Sequence, residues 1–242
     1  MVRMKAASLR ARVRAEMVDE IKVVARRHLA EQGANLSLRA VARDLGMVSS
    51  AIYRYFPSRD DLLTALIIDA YNALGEAVEN AERALPRPEF TGRFLATCHA
   101  VRDWALAHPH EYALIYGSPV PGYRAPTDTV PAATRTAGVL GGILRDAAGA
   151  GVLTGRNDGP LPAPVDADLT RIAESLGTAV PRPALARGLG AWVQLFGTVS
   201  FELFGQFANT IADRTAFFDH QMRAQAAHIG LPGELTGGDA PR

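Results

Sequence analysis

The stretch from Leu36 to Leu63, LSLRAVARDLGMVSSAIYRYFPSRDDLL, constrains this chain more than any other. Helix formers dominate it, yet Gly46 and Pro57 cut it into pieces too short to be stable helices alone. Ser37 reads as the N-cap of a short helix whose buried face is Leu38, Val41, Ala42 and Leu45, and Gly46 ends it. Ser49 reads as the cap of a second short helix ending near Tyr55, and Ser58 as the cap of a longer one. Asp60 and Asp61 fall in the first turn of that longer helix, where carboxylates complement the dipole. Two short helices joined across Gly46, Met47 and Val48 make a helix-turn-helix. Val41, Leu45, Val48 and Ile52 are placed to hold the pair together.

That segment lies in a chain of 242 residues where β-branched alternation is scarce and the one Asp-Gly pair, Asp158-Gly159, falls in a Pro/Gly-rich stretch rather than between two strand-like runs. An all-α fold follows. Helices are expected at Leu9–Gln32, stopped by Gly33, and from Ser58 to about Ala84. Further ones are expected at Glu89–Ala107, Pro109–Tyr116, Ala132–Ala150, Asp166–Ala179, Pro183–Ala208 and Asp213–Ile229. The Pro/Gly-rich stretches Gly117–Pro131 and Gly155–Pro164 read as surface loops. The organisation expected is a three-helix helix-turn-helix head over residues 1–60, a helical domain over 61–230, and a fraying tail over 231–242.

The helix after Gly46 offers an unusual outer surface. Ser49, Ser50 and Ala51 are small enough to let a helix approach base edges in a major groove. Tyr53, Arg54 and Tyr55 follow with hydroxyl and guanidinium donors suited to phosphates. Arg59 opens the next helix, where backbone N–H groups and a cation can hold another phosphate. Charge agrees: residues 1–60 carry 12 Lys and Arg against 6 Asp and Glu, whereas the whole chain is only +1. For either tyrosine the alternative is packing with a solvated hydroxyl. Arg3, Lys5, Arg10, Arg12 and Arg14 form either a DNA-contacting arm or a solvated N-terminus.

Taken together, this segment resembles the DNA-binding domain of the TetR/AcrR family of bacterial repressors. Tyr53, Tyr55, Phe56, Ser58, Arg59, Asp60 and Leu62 fall on the family's stretch after the turn, and Ser37, Arg39, Val41, Ala42 and Gly46 on the pattern before it. Arg59 stands where the family usually has lysine, and arginine keeps the charge. The resemblance implies that Arg39 and Ser49 to Ala51 face base edges or nearby sugar-phosphate. It implies equally that Ser37, Tyr53, Tyr55 and Arg59 grip phosphates. His108–Ser118 resembles a C-terminal domain type of one branch of the family.

One helix-turn-helix reads only a few base pairs, and two set about 34–36 Å apart read a palindrome. A dimer is therefore expected, and Gly188–Ala208 supplies a surface for it. One stripe there is Trp192, Phe196, Val199, Leu203 and Phe207; another is Leu189, Val193, Phe201 and Phe204. A helix apolar on two faces must bury both, one on its own core and one on a partner. The resemblance implies pairing through residues 183–208 and 213–229. A cavity for a small-molecule effector would be enclosed by the middle helices, with His99, Trp104, Tyr112, Tyr116, Trp192 and Phe196 as candidate lining; an ordinary core is the alternative for each. The implied function is a dimeric repressor released from palindromic operator DNA by that effector. An activator of the same fold, or a regulator without a small ligand, is the second reading, and a helical enzyme the third.

No Gly-rich phosphate loop, nucleophile elbow or paired carboxylates stand out, so neither an enzyme nor a cofactor is expected. His99, His108, His110 and Glu111 lack two-turn His spacing, so no metal is expected. No apolar run is long enough for a bilayer, and the single cysteine, Cys98, forbids an intrachain disulfide, which fits a cytoplasmic protein.

Overall fold

The computed structural model describes residues 2–32, 36–154, 159–175 and 177–233, apart from the side chains of residues 2–8 and Gln32. The expected stop at Gly33, part of the Gly155–Pro164 loop and most of the tail lie outside the described residues. Among those described, every regular element is helical. The α-helices are α1 (Val2–Gln32), α2 (Leu38–Asp44), α3 (Arg59–Arg83), α4 (Phe90–Ala107), α5 (Pro109–Tyr116), α6 (Val130–Ala133), α7 (Arg135–Gly149), α8 (Ala163–Ser175), α9 (Arg182–Leu203) and α10 (Arg214–Ile229). Short 3-10 turns cover Ile52–Arg54 and Thr127–Thr129.

Local signals set these limits. Ser58 Oγ accepts from the N–H of Asp61 at 3.1 Å and caps α3, and Asp213 Oδ1 accepts from the N–H of Ala216 at 2.8 Å and caps α10. Pro109 occupies the first turn of α5, where its missing N–H costs nothing. Several limits differ from expectation: α8 runs Ala163–Ser175 rather than Asp166–Ala179, and Thr134 separates α6 from α7 within the helix expected over Ala132–Ala150. α1 begins at Val2, two turns before Leu9. α9 stops at Leu203 rather than Ala208, because Phe204 closes it and Gly205 follows in the left-handed region at φ +82°.

Packing divides the chain into two compact units: Met1–Tyr71 with His108–Ala132, and Asn72–Ala107 with Ala133–Arg242. The expected division at residue 60 falls in the first turn of α3, which supplies residues to both units.

The first unit is built on Ile21, Ala25 and Leu29 of α1, Leu38, Val41 and Ala42 of α2, Ile52 and Phe56, and Leu62, Leu63 and Leu66 of α3. α5 joins them through charge. Arg26 lies 2.8 Å from Asp69 of α3 and 3.2 Å from Glu111 of α5, while Lys22 lies 3.0 Å from Asp69.

In the second unit α10 packs on α9 and α4, α4 also on α7, and α8 on α9. Its core includes Cys98, Val101, Ile143, Leu195, Val199, Phe218 and Met222. Burial pushes the Cys98 thiol far above its ordinary pKa, so it stays protonated. The arginines inside are all engaged. Fully buried Arg93 meets Glu82 and Asp146, Arg102 meets Glu202, and Arg187 donates to the carbonyl of Ile229.

Candidate nucleic-acid interface

The turn between α2 and the next element is held by backbone geometry. Gly46 sits at φ +66°, where a side chain would be strained. Its N–H donates to Arg43 O at 3.0 Å, and that of Met47 donates to Ala42 O at 2.9 Å, the paired bonds of a Schellman stop. Ser37 is extended before α2, and its Oγ accepts from the N–H of Ala40 at 3.4 Å.

Beyond the turn two expectations are corrected. The second short helix is not α-helical: residues 49–51 form a turn, and Ile52–Arg54 a single 3-10 turn. Ser49 does not cap it, since no side chain caps the 3-10 segment. Valine at position 48 offers no side-chain acceptor to that first turn, so the tighter i→i+3 pattern satisfies it instead. The Ala51 N–H donates to Val48 O at 2.8 Å, and the Tyr55 N–H to Ile52 O at 2.9 Å. Val48 also does not lie between the helices. It is 72% exposed, while Met47 packs against the core in its place.

A surface groove of about 550 Å³ runs along this edge, lined by Ser37, Arg39, Arg43, Val48 and Ser49 among others. Three of the expected DNA-contacting residues, Ser37, Arg39 and Ser49, therefore share one concave surface. Ser50 and Tyr53 are exposed outside it, and Ala51 is half-buried. Tyr55 is half-buried too, packed against the core, with the Arg14 guanidinium 5.1 Å from its ring centre. Arg59 is tied down: its Nε donates to Leu36 O at 3.1 Å, and its guanidinium lies 3.5 Å from Asp60. Arg59 therefore also braces the start of α3 against the entry to α2.

Sequence reasoning missed one cation here, Arg43, and left the setting of another, Arg14, open. Arg43 is exposed in the groove one turn after Arg39, and that i, i+4 spacing was the available signal. Arg14 is part of α1 rather than of a separate arm, and its Nη2 donates to Arg54 O at 2.9 Å. The one carboxylate of α2, Asp44, lies 3.9 Å from the Arg43 guanidinium and closer to two groups of α1. His28 Nε2 lies 2.8 Å away and Arg27 3.2 Å away. The His28 hydrogen bond, aided by Arg27, holds the Asp44 carboxyl below the usual carboxylate range.

The six candidate effector residues fall in both units. In the second, Trp192 stacks on Phe196 with ring centres 4.6 Å apart, Trp104 is buried, and His99 lies 3.2 Å from Asp219 and edge-on to Phe218. In the first, Tyr112 is fully buried and lies 5.2 Å from Tyr116, whose phenol burial pushes to a high pKa. A separate hollow of about 850 Å³ in the second unit is lined by Arg87, Phe90, Thr91, Asp146, Val152 and others, and by none of the six. Among the described residues no three His, Cys, Asp or Glu side chains gather as metal ligands, and no helix is long and apolar enough to cross a membrane.

Known proteins match both parts of this arrangement. The family model for bacterial regulatory proteins of the tetR family matches residues 21–66, and that for the tetracyclin repressor-like C-terminal domain matches residues 94–225. The HTH-type transcriptional regulator Rv1816 of Mycobacterium tuberculosis is 40% identical over 222 residues, spanning 88% of this chain and 92% of the relative. The crystal structure of the regulatory protein SCO4313 superposes with a TM-score of 0.75 at 35% identity, over 90% of this chain and 98% of that one. A protein of unknown function from Rhodococcus sp. RHA1 follows with a TM-score of 0.62 at 26% identity, over 86% and 94%.

Proposed function

Because the chain belongs to the TetR family of transcription regulators, with a helix-turn-helix DNA-binding domain and no enzymatic role, we propose that it is a dimeric repressor released from its operator by a small molecule. The observation that carries this reading is the groove that gathers Ser37, Arg39, Arg43 and Ser49 beside the turn at Gly46. Exposed cations suit phosphates, and small hydroxyl side chains suit base edges. Residues 1–60 carry the reading function; Ser50, Ala51, Tyr53, Tyr55 and Arg59 complete the contact set.

Residues 61–230 carry pairing and regulation. The second stripe supports pairing: Leu189, Val193 and Phe201 of α9 and Phe204 just after it are all exposed, and a Cβ added at Gly190 or Gly197 would meet nothing within 4 Å. A single chain leaves that apolar face in water, and a second copy through residues 183–208 and 213–229 would cover it. A dimer then presents two heads to the halves of a palindrome.

Release follows from differential affinity. An effector that prefers a dimer with the wrong head spacing lowers DNA affinity by its coupling energy, typically about 1–3 kcal/mol. His99, Trp104, Trp192 and Phe196 of the second unit are the residues proposed to meet it. The lever is α3, one unbroken helix that supplies residues to both units. The setting is the cytoplasm, where operator DNA is found.

A gel-shift titration with the DNA upstream of the protein's own gene tests the proposal. A shift confined to an inverted repeat, formed by two chains per site, is the expected result. Equal binding to scrambled duplex would overturn it.

A further inference from the structure

We infer that Val48 reads a base: its methyl groups meet the C5-methyl of a thymine in the major groove and select T·A at one position of each half-site. The inference rests on DNA binding by this head, as proposed above.

A lone exposed valine is ordinary on a protein surface. The location of this one is not. Val48 is 72% exposed on the rim of the groove that Arg39, Arg43 and Ser49 also line. It belongs to no part of the first unit's core, whereas its neighbours Leu45, Met47 and Ile52 all pack there. Among the described residues, the core therefore makes no use of its side chain. A residue with a side-chain acceptor at this position would help the following turn, which has no side-chain cap. The chain instead presents two methyl groups outward.

The chemistry of the groove singles out the partner. In the major groove adenine, guanine and cytosine show polar groups, and only thymine shows an apolar one. Valine has neither donor nor acceptor in its side chain, so thymine is the base it can favour. Cytosine at the same place carries only a hydrogen on C5, so the methyl contact is lost. The β-branched side chain is stiff about χ1, so little rotamer freedom is lost on contact. Arg39 and Arg43, which line the same groove, would fix the register by holding phosphates.

The test uses the full-length protein and a pool of randomised duplexes. Bound sequences are enriched, and each thymine of the enriched site is then replaced by deoxyuridine, which lacks only the methyl group. The expected result is one thymine per half-site whose replacement weakens binding about fourfold, the worth of one buried methyl group. Val48→Ala should bind the thymine and deoxyuridine sites equally, with an unchanged melting temperature. Val48→Thr, which keeps one methyl, should fall between. If Val48→Ala keeps the full thymine preference, or the unaltered protein shows none, the inference fails while DNA reading stands. If no sequence is enriched, both fail together.

Discussion

Arg102 of α4 grips Glu202 of α9 by two parallel hydrogen bonds, Nε to Oε2 and Nη2 to Oε1, each 2.7 Å, with both side chains buried. Arg102 also donates to Thr215 Oγ1 at 3.1 Å and lies over the Phe218 ring, so one guanidinium joins α4, α9 and α10. Removing one partner strands a buried charge, which typically costs about 3–5 kcal/mol. Arg102→Met is therefore expected to lower stability by about 3 kcal/mol, and Arg102→Met with Glu202→Leu to recover much of it. Urea unfolding of the three proteins measures this; a double variant as unstable as the single would contradict it.

The pair of His28 and Asp44 predicts a pH dependence. Its hydrogen bond places the folded Asp44 carboxyl below the unfolded value of about 3.9. A depressed carboxylate stabilises the fold above the unfolded pKa, and that contribution disappears as pH falls through the folded pKa. Asp44→Asn should be less stable than the parent at pH 7, and the difference should shrink as the pH falls through 3.9 and below. An equal gap at both ends of the titration would show that the pair is not responsible.

Arg43 and Arg59 are expected to separate DNA affinity from stability. Arg43 is solvent-facing in the groove, whereas Arg59 also bonds Leu36 O. Arg43→Ala should leave the melting temperature unchanged and reduce the salt slope of operator binding by about 0.9, the effect of one phosphate contact. Arg59→Ala should lower both affinity and melting temperature. Calorimetry with fluorescence anisotropy at several salt concentrations distinguishes them.

The exposed face of α9 predicts the assembly. Val193 is 69% exposed on a stripe with Leu189 and Phe201. A carboxylate buried there in a dimer would have no partner and would cost several kcal/mol. Val193→Asp should convert the protein from dimer to monomer at micromolar concentration in light scattering, with its helical circular dichroism unchanged. A parent protein already monomeric under those conditions would remove the proposed interface.

Much of the fold was legible because its signals are local. Pro109 starts α5 and Tyr116 ends it as expected, Ser58 caps the helix it was expected to cap, and the two stripes of α9 separate into buried Phe196 and Val199 and exposed Leu189 and Val193. Periodicity and caps depend on residues a few positions apart, so one sequence suffices. Family membership was readable for the same reason, since the residues that carry it lie together between Ser37 and Leu62.

What the tertiary structure decided concerns residues whose surroundings come from elsewhere in the chain. Met47 and Val48 are adjacent, apolar and similar in hydropathy; only the placement of the α1, α2 and α3 core determines that methionine turns inward and valine outward. Tyr112 and Trp104 are eight positions apart, yet they belong to different packed units, because Arg26 of α1 holds both Glu111 of α5 and Asp69 of α3 while α4 packs on α7, α9 and α10. The amino-acid sequence by itself determined where helices start, stop and turn, through bonds that close within a few residues. Which side chains line the groove beside Gly46, and which belong to one packed unit, depended on contacts between distant segments, and those exist only once the chain has packed.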